Sequence, residues 1–209
     1  MNEIMWFPFV LASLAVIFIP GQDMILVMTK SISSGVGSGL VTALGVSLGL
    51  VIHTLIVSFG LGSIIMASDV LFLIIKLCGA IYLFYVAYQL ITSDGVISAD
   101  DSGVGKKSLL STFFYGALSN VSNPKILIFY LAFLPQFIGG GSGNPVLKML
   151  LMGVVFAALT FIIKAPISIF SGFFSEWFKR KSSVMKWIMR SSGAVLILIG
   201  IKVLAEKRA

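Results

Sequence analysis

Two short clusters of residues able to do chemistry interrupt otherwise apolar stretches of the chain. The first reads Ile19-Pro20-Gly21-Gln22-Asp23 and the second Ser122-Asn123-Pro124-Lys125. Proline removes a backbone donor and clashes with the preceding turn, which frees carbonyl oxygens one turn earlier. Glycine tolerates the unusual dihedrals that follow. Each cluster thus sets a charged side chain beside loosened backbone. Asp23 can accept the ammonium of a zwitterionic ligand or carry a proton. Its structural alternative is a carboxylate at the inner interface, satisfied by water or by Lys30. Lys125 can neutralise Asp23 or bind a ligand carboxylate. Its alternative is to snorkel along its own stem to the interface.

Two further polar groups lie inside apolar segments. His53 shares a helix face with Gly45 and Gly49 at i, i+4 spacing. Small residues at that spacing let helices approach closely, so His53 is expected to point at protein, as a proton relay, polar lining or a hydrogen-bonded structural histidine. Lys164 precedes Ala165-Pro166. It is expected to line a path or to pair with Asp23 in place of Lys125. The candidate site is therefore Pro20, Gly21, Gln22, Asp23, His53, Asn123, Pro124, Lys125 and Lys164.

The elements that must position these groups are membrane helices. The 209 residues are 58% hydrophobic and 11% charged, with a mean hydropathy of +1.06. A soluble domain of this size could not hide so much apolar surface. About 20 apolar residues span a bilayer core, and six segments qualify, near 4–29, 40–66, 70–92, 109–137, 146–172 and 185–205. They are too long, and lack the alternation, for barrel strands. The fold class expected is an all-α membrane protein in one domain, 1–209. Acidic Glu3 and an apolar run that continues past any cleavage site speak against a removable signal.

The net charge is +7, and many of the bases cluster in or beside the short gaps between apolar runs. Lys30, Lys106, Lys107, Lys179, Arg180, Lys181, Lys186 and Arg190 fall on one side, and Lys148, Lys207 and Arg208 on the other. Basic residues favour the cytoplasmic side, so both termini are expected to be periplasmic. The charge reads as orientation and not as nucleic-acid binding.

The chain also repeats itself. Segment three reads Lys76-Leu77-Cys78-Gly79-Ala80 and segment six Arg190-Ser191-Ser192-Gly193-Ala194. Segments one and four each break at a proline. An odd number of helices per copy turns the second copy over, which predicts a 3+3 inverted-topology repeat, halves about 1–92 and 109–205 with a linker 93–108, and broken helices 1 and 4. Matching interruptions in two halves point to a transporter's binding site.

Other chemistry has no footing in the sequence. The single cysteine, Cys78, excludes an internal disulfide or a redox pair and reads as buried helix-packing filler. Zinc-protease, serine-hydrolase and phosphate-loop motifs are missing, so no enzyme activity, catalytic residue, cofactor or metal site is expected. A metal cargo would want several convergent acids, and only Asp23 lies inside a span.

Three stretches in order resemble the LysE/RhtB family of amino-acid exporters. They are Pro20-Gly21-Gln22-Asp23-Met24 through Gly35 with Gly39-Leu40 and Gly45 to His53, then Gly79-Ala80-Ile81-Tyr82-Leu83, then Asn123-Pro124-Lys125 with Phe129, Phe133 and Leu134-Pro135-Gln136-Phe137. The resemblance covers essentially the full length. It implies a six-helix efflux protein of the bacterial inner membrane that exports threonine, homoserine, lysine or related small amines. Gln22 stands where the family often has a second proline, Leu50 where a polar residue is frequent, and Lys164 is unusual. A cation in the pathway would disfavour basic substrates, which favours neutral amino acids.

The expected function is export of a small amino acid by alternating access in exchange for protons. Proton coupling rests on the missing nucleotide site together with Asp23 and His53. The alternatives are export of another small cation or amine, and a non-transporting membrane scaffold. Homo-oligomerisation is left open.

Overall fold

The computed structural model describes residues 4–61, 69–92, 108–138, 144–173 and 182–205. Eight α-helices form these parts, without a named strand among the described residues. They are α1 (Trp6–Phe18), α2 (Gln22–Ser34), α3 (Val36–Ile56), α4 (Asp69–Thr92), α5 (Leu109–Val121), α6 (Pro124–Ile128), α7 (Pro145–Phe173) and α8 (Ser182–Ala205). A π-helical turn extends α3 over Val57–Leu61, and π and 3₁₀ turns extend α6 over Phe129–Phe137.

Both prolines break their segments where the sequence places them. α1 and α2 meet at 51°, and α5 meets the α6 stretch at 54°. The first break needs Pro20, which cannot continue α1, and Gly21, which caps α2 in an extended conformation. In the second, Asn123 caps α6 by accepting from the Lys125 amide at 3.1 Å. Gly35 alone separates α2 from α3, at φ 89°, a conformation that a Cβ makes costly.

Stretches Val36–Gly60 and Pro145–Ser171 are each long and apolar enough to cross a bilayer, and each bent pair reaches that length together. α7 runs unbroken through Pro166. α4 and α8 have 24 residues each. Large apolar side chains coat the outside: Phe7, Ile81, Leu118, Ile162, Phe170 and Leu198 are all exposed. Such a surface suits hydrocarbon, and helices satisfy their own backbone there.

Close helix contacts depend on missing side chains. A Cβ on Gly45 would strike the Phe113 carbonyl, and one on Gly49 would lie 2.6 Å from Asn120 Oδ1. The Gly45–Gly49–His53 face is thus pressed onto α5, and the face expected to meet protein does so. α3 also packs on α2 and α7, while α4 packs on α8. A Cβ on Gly153 of α7 would collide with Thr54, and one on Gly193 of α8 would lie 2.8 Å from the Ala87 carbonyl.

One expectation needs correction. Cys78 is exposed rather than buried. It lies next to exposed Leu77 on α4. The gap bases Lys106, Lys107, Lys179, Arg180 and Lys181, the terminal Lys207 and Arg208, and most of the 93–108 linker lie outside the described residues.

Candidate functional site

The two helix breaks lie side by side, and a lysine joins them. From the start of α6, Lys125 reaches back to the end of α1, where its Nζ donates to the carbonyl oxygens of Val16 and Ile19, 3.1 Å each. The Val16 oxygen is one that Pro20 frees by having no amide hydrogen to offer. A cation on freed carbonyls is the electrostatic match for a helix end. Lys125 is 8% exposed, so its head does not snorkel to an interface. Gly21 lies against it: a Cβ there would sit 3.4 Å from Nζ, in ordinary contact.

Asp23 stands one turn into the site, in the first turn of α2, 4% exposed. Its cation is Lys164, with Nζ 3.6 Å from Oδ2. The same oxygen accepts from Asn120 Nδ2 at 2.7 Å. Of the two lysines open to Asp23 by sequence, the fold therefore pairs it with Lys164 and gives Lys125 to the backbone. Lys30 takes neither role. Its ammonium lies over the Tyr115 ring, 5.5 Å from the centroid.

A small cavity of about 20 Å³ lies among these groups, bounded by Gly21, Asp23, Asn123, Lys125, Thr160 and Lys164. That is space for about one water. Asp23 Oδ1 and Thr160 Oγ1 are buried there without a protein partner. Two ammonium groups and one carboxylate share this interior. An isolated buried charge is costly, and here Asp23 is paired with Lys164 while Lys125 is held by backbone carbonyls.

His53 lies behind the ion pair. Its Nε2 is 3.2 Å from the Asn120 carbonyl oxygen, and it stacks on Tyr130 with centroids 5.7 Å apart. It touches the site through Asn120 rather than directly. Pro20 and Gln22 fall on the other side of the break, where Gln22 Nε2 donates to Ser119 Oγ at 3.1 Å. Phe156 also lines the cavity and, with Phe129, Tyr130 and Phe133 from the turns that follow α6, forms a buried aromatic layer, the Phe129 and Phe156 centroids 4.7 Å apart.

Asn120 and Thr160 belong to this site and escape a reading of the sequence. Asn120 sits one turn before the Asn123-Pro124-Lys125 cluster, inside a regular helix, where a polar residue reads as ordinary. Its one clue is that it lies a turn before the second break, next to Ser119. Thr160 carries no such clue.

The profile of the LysE type translocators matches residues 14–207, nearly the whole chain and both breaks. The chain belongs to the LysE type translocator family. Within it, an uncharacterized membrane protein of Bacillus subtilis is 30% identical over 194 residues, covering 89% of this chain and 91% of its own. An uncharacterized membrane protein of Pseudomonas aeruginosa is 28% identical, with 93% and 92% covered. A homoserine/homoserine lactone efflux protein of Salmonella typhi is 28% identical over 205 residues, 98% of each chain. No solved structure matches. For this LysE type translocator, the internal ion pair and the joined breaks are the features to be explained by translocation.

Proposed function

We propose that this LysE type translocator exports a small neutral amino acid, of threonine or homoserine type, from the bacterial cytoplasm by alternating access. One observation carries the reading: a carboxylate and two ammonium groups are buried where two broken helices meet. Broken helices expose backbone dipoles that suit the charged ends of a zwitterion. Lys125 is the partner for the ligand carboxylate and Asp23 for its ammonium, which would displace Lys164. Pro20, Gly21, Asn123 and Pro124 make the breaks. Gln22 and His53 border the path. The efflux relatives of Salmonella support the direction and substrate class.

The proposed frame is six spans in a 3+3 inverted repeat. Its support is the packing of counterpart segments on one another, α3 on α7 and α4 on α8, with the two breaks in contact. The base asymmetry supports an inner-membrane protein with periplasmic termini. Proton exchange at Asp23, with His53 behind it, is the proposed coupling, since a carboxylate that trades partners can also trade a proton. The test is efflux of a panel of labelled amino acids from loaded membrane vesicles, with and without a proton gradient. Gradient-dependent threonine or homoserine efflux is expected. Failure to move any amino acid refutes the reading.

A further inference from the structure

A second cavity, of about 270 Å³, lies on the other side of the first break. It shares Gly21, Asn123 and Lys125 with the small one. Its opposite wall is α4, through Tyr82, Val86, Gln89 and Leu90, with Met189 of α8. At 1.5 Å per residue, Gln89 lies about 4.5 Å from the end of α4 at Thr92, and Tyr82 about 15 Å from it. The chamber's α4 wall therefore runs from the middle of α4 toward its C-terminal end.

That end can be identified. A Cβ on Gly193 would meet Ala87 and Ile91, and one on Gly200 would meet Phe84, so α4 and α8 are antiparallel. The chamber's α4–α8 wall lies toward the end of α4 and the start of α8. In sequence these lead to Lys106-Lys107 and back to Lys179-Arg180-Lys181, the basic and hence cytoplasmic side. Phe156 lines the small cavity, and the aromatic layer it forms with Phe129, Tyr130 and Phe133 lies toward the other side.

The polar lining has a definite character. Gln22, Tyr82, Gln89 and Asn123 are neutral, Lys125 is a cation, and no carboxylate lines the chamber among the described residues. Asp23 borders the small cavity instead, held by Lys164 and Asn120. Gln89 is braced, its Nε2 donating to Tyr85 Oη at 2.7 Å. A ligand whose carboxylate faces Lys125 presents its side group to Tyr82 and Gln89. An uncharged hydroxyl or amide finds hydrogen-bond partners there. A second ammonium finds none of opposite charge, and leaving a charge unpaired out of water is costly.

We infer that this chamber is the cytoplasmic loading site, and that Tyr82 and Gln89 select an amino acid with an uncharged polar side group against one with a basic side chain. The inference rests on the exporter reading and adds the entry route and the residues that discriminate. Gln89→Glu supplies the missing carboxylate at an exposed position, where the variant should fold. The ratio of labelled lysine to labelled threonine efflux is expected to rise by about tenfold, equivalent to ~1.4 kcal/mol. Gln89→Ala should slow threonine without admitting lysine. An unchanged ratio in a Gln89→Glu protein that still moves threonine overturns the assignment.

A second arm does not depend on transport. Gln89→Cys and Tyr82→Cys, each in a Cys78→Ser background, are treated with a membrane-impermeant thiol reagent in vesicles of both orientations. Labelling from the cytoplasmic side, slowed by threonine, is expected. Labelling only from the opposite side, or labelling that threonine does not slow, overturns the chamber. A wild-type protein that moves no amino acid of the panel refutes the exporter reading instead, and threonine protection then decides the chamber by itself.

Discussion

The Nζ of Lys164 lies 3.6 Å from Oδ2 of Asp23, and both side chains are almost wholly buried. A charge at mid-span is disfavoured by about 2.5–3.5 kcal/mol on insertion scales, so neutralising a residue with no role should help insertion. Asp23→Asn is expected to abolish efflux without preventing insertion, and to strand Lys164. Breaking one side of a buried pair costs about 3–5 kcal/mol, whereas replacing both partners can be neutral. Asp23→Asn combined with Lys164→Met should therefore melt in detergent above Asp23→Asn alone and still not transport. A double variant that melts no higher would contradict the pairing.

Lys125→Met tests the other cation. If the ammonium does more than fill space, transport should stop while the protein still inserts. Two carbonyl bonds are lost, and bonds to a charged group are worth about 1.5–3 kcal/mol each. Lower thermal stability in detergent is the check. Wild-type efflux at matched expression would reject Lys125 as part of the site.

The glycine face of α3 gives a packing prediction. In Gly49→Ala the new methyl would lie 2.6 Å from Asn120 Oδ1 and 2.9 Å from the Ala117 carbonyl. Backbone cannot yield cheaply, so a loss of about 1–3 kcal/mol is expected, with reduced transport because Asn120 also holds Asp23. Gly37→Ala meets nothing within 4 Å and serves as the control. Equal melting temperatures for the two variants would count against this contact.

Much of this organisation is legible in the sequence. Apolar length locates the segments, because crossing hydrocarbon needs it. Pro20 and Pro124 locate the breaks, because proline cannot continue a helix. The Gly45–Gly49–His53 spacing announces a protein-facing surface. Partner choice is less legible. Asp23 has two lysines open to it, and only the approach of α7 to α2 gives it Lys164. Asn120 is brought to Asp23 and Thr160 to the small cavity by helix rotation, which apolar length does not encode. Cys78 shows the same blindness, since an apolar neighbourhood fits lipid as well as core.

Orientation is checked by accessibility. With Cys78→Ser as background, a cysteine replacing Ser102 should be labelled only from the cytoplasmic side and one replacing Ser142 only from the periplasmic side. The bases in the gaps set this expectation. Labelling of the Ser102 position from outside intact cells would reverse the topology.

The central claim is that the buried charges at the two breaks bind and move an amino acid. It is tested most directly by labelled threonine efflux from vesicles carrying wild-type, Asp23→Asn or Lys125→Met protein at equal levels. The account predicts efflux by the wild type and none above empty vesicles by either variant. Wild-type rates in both variants would contradict it.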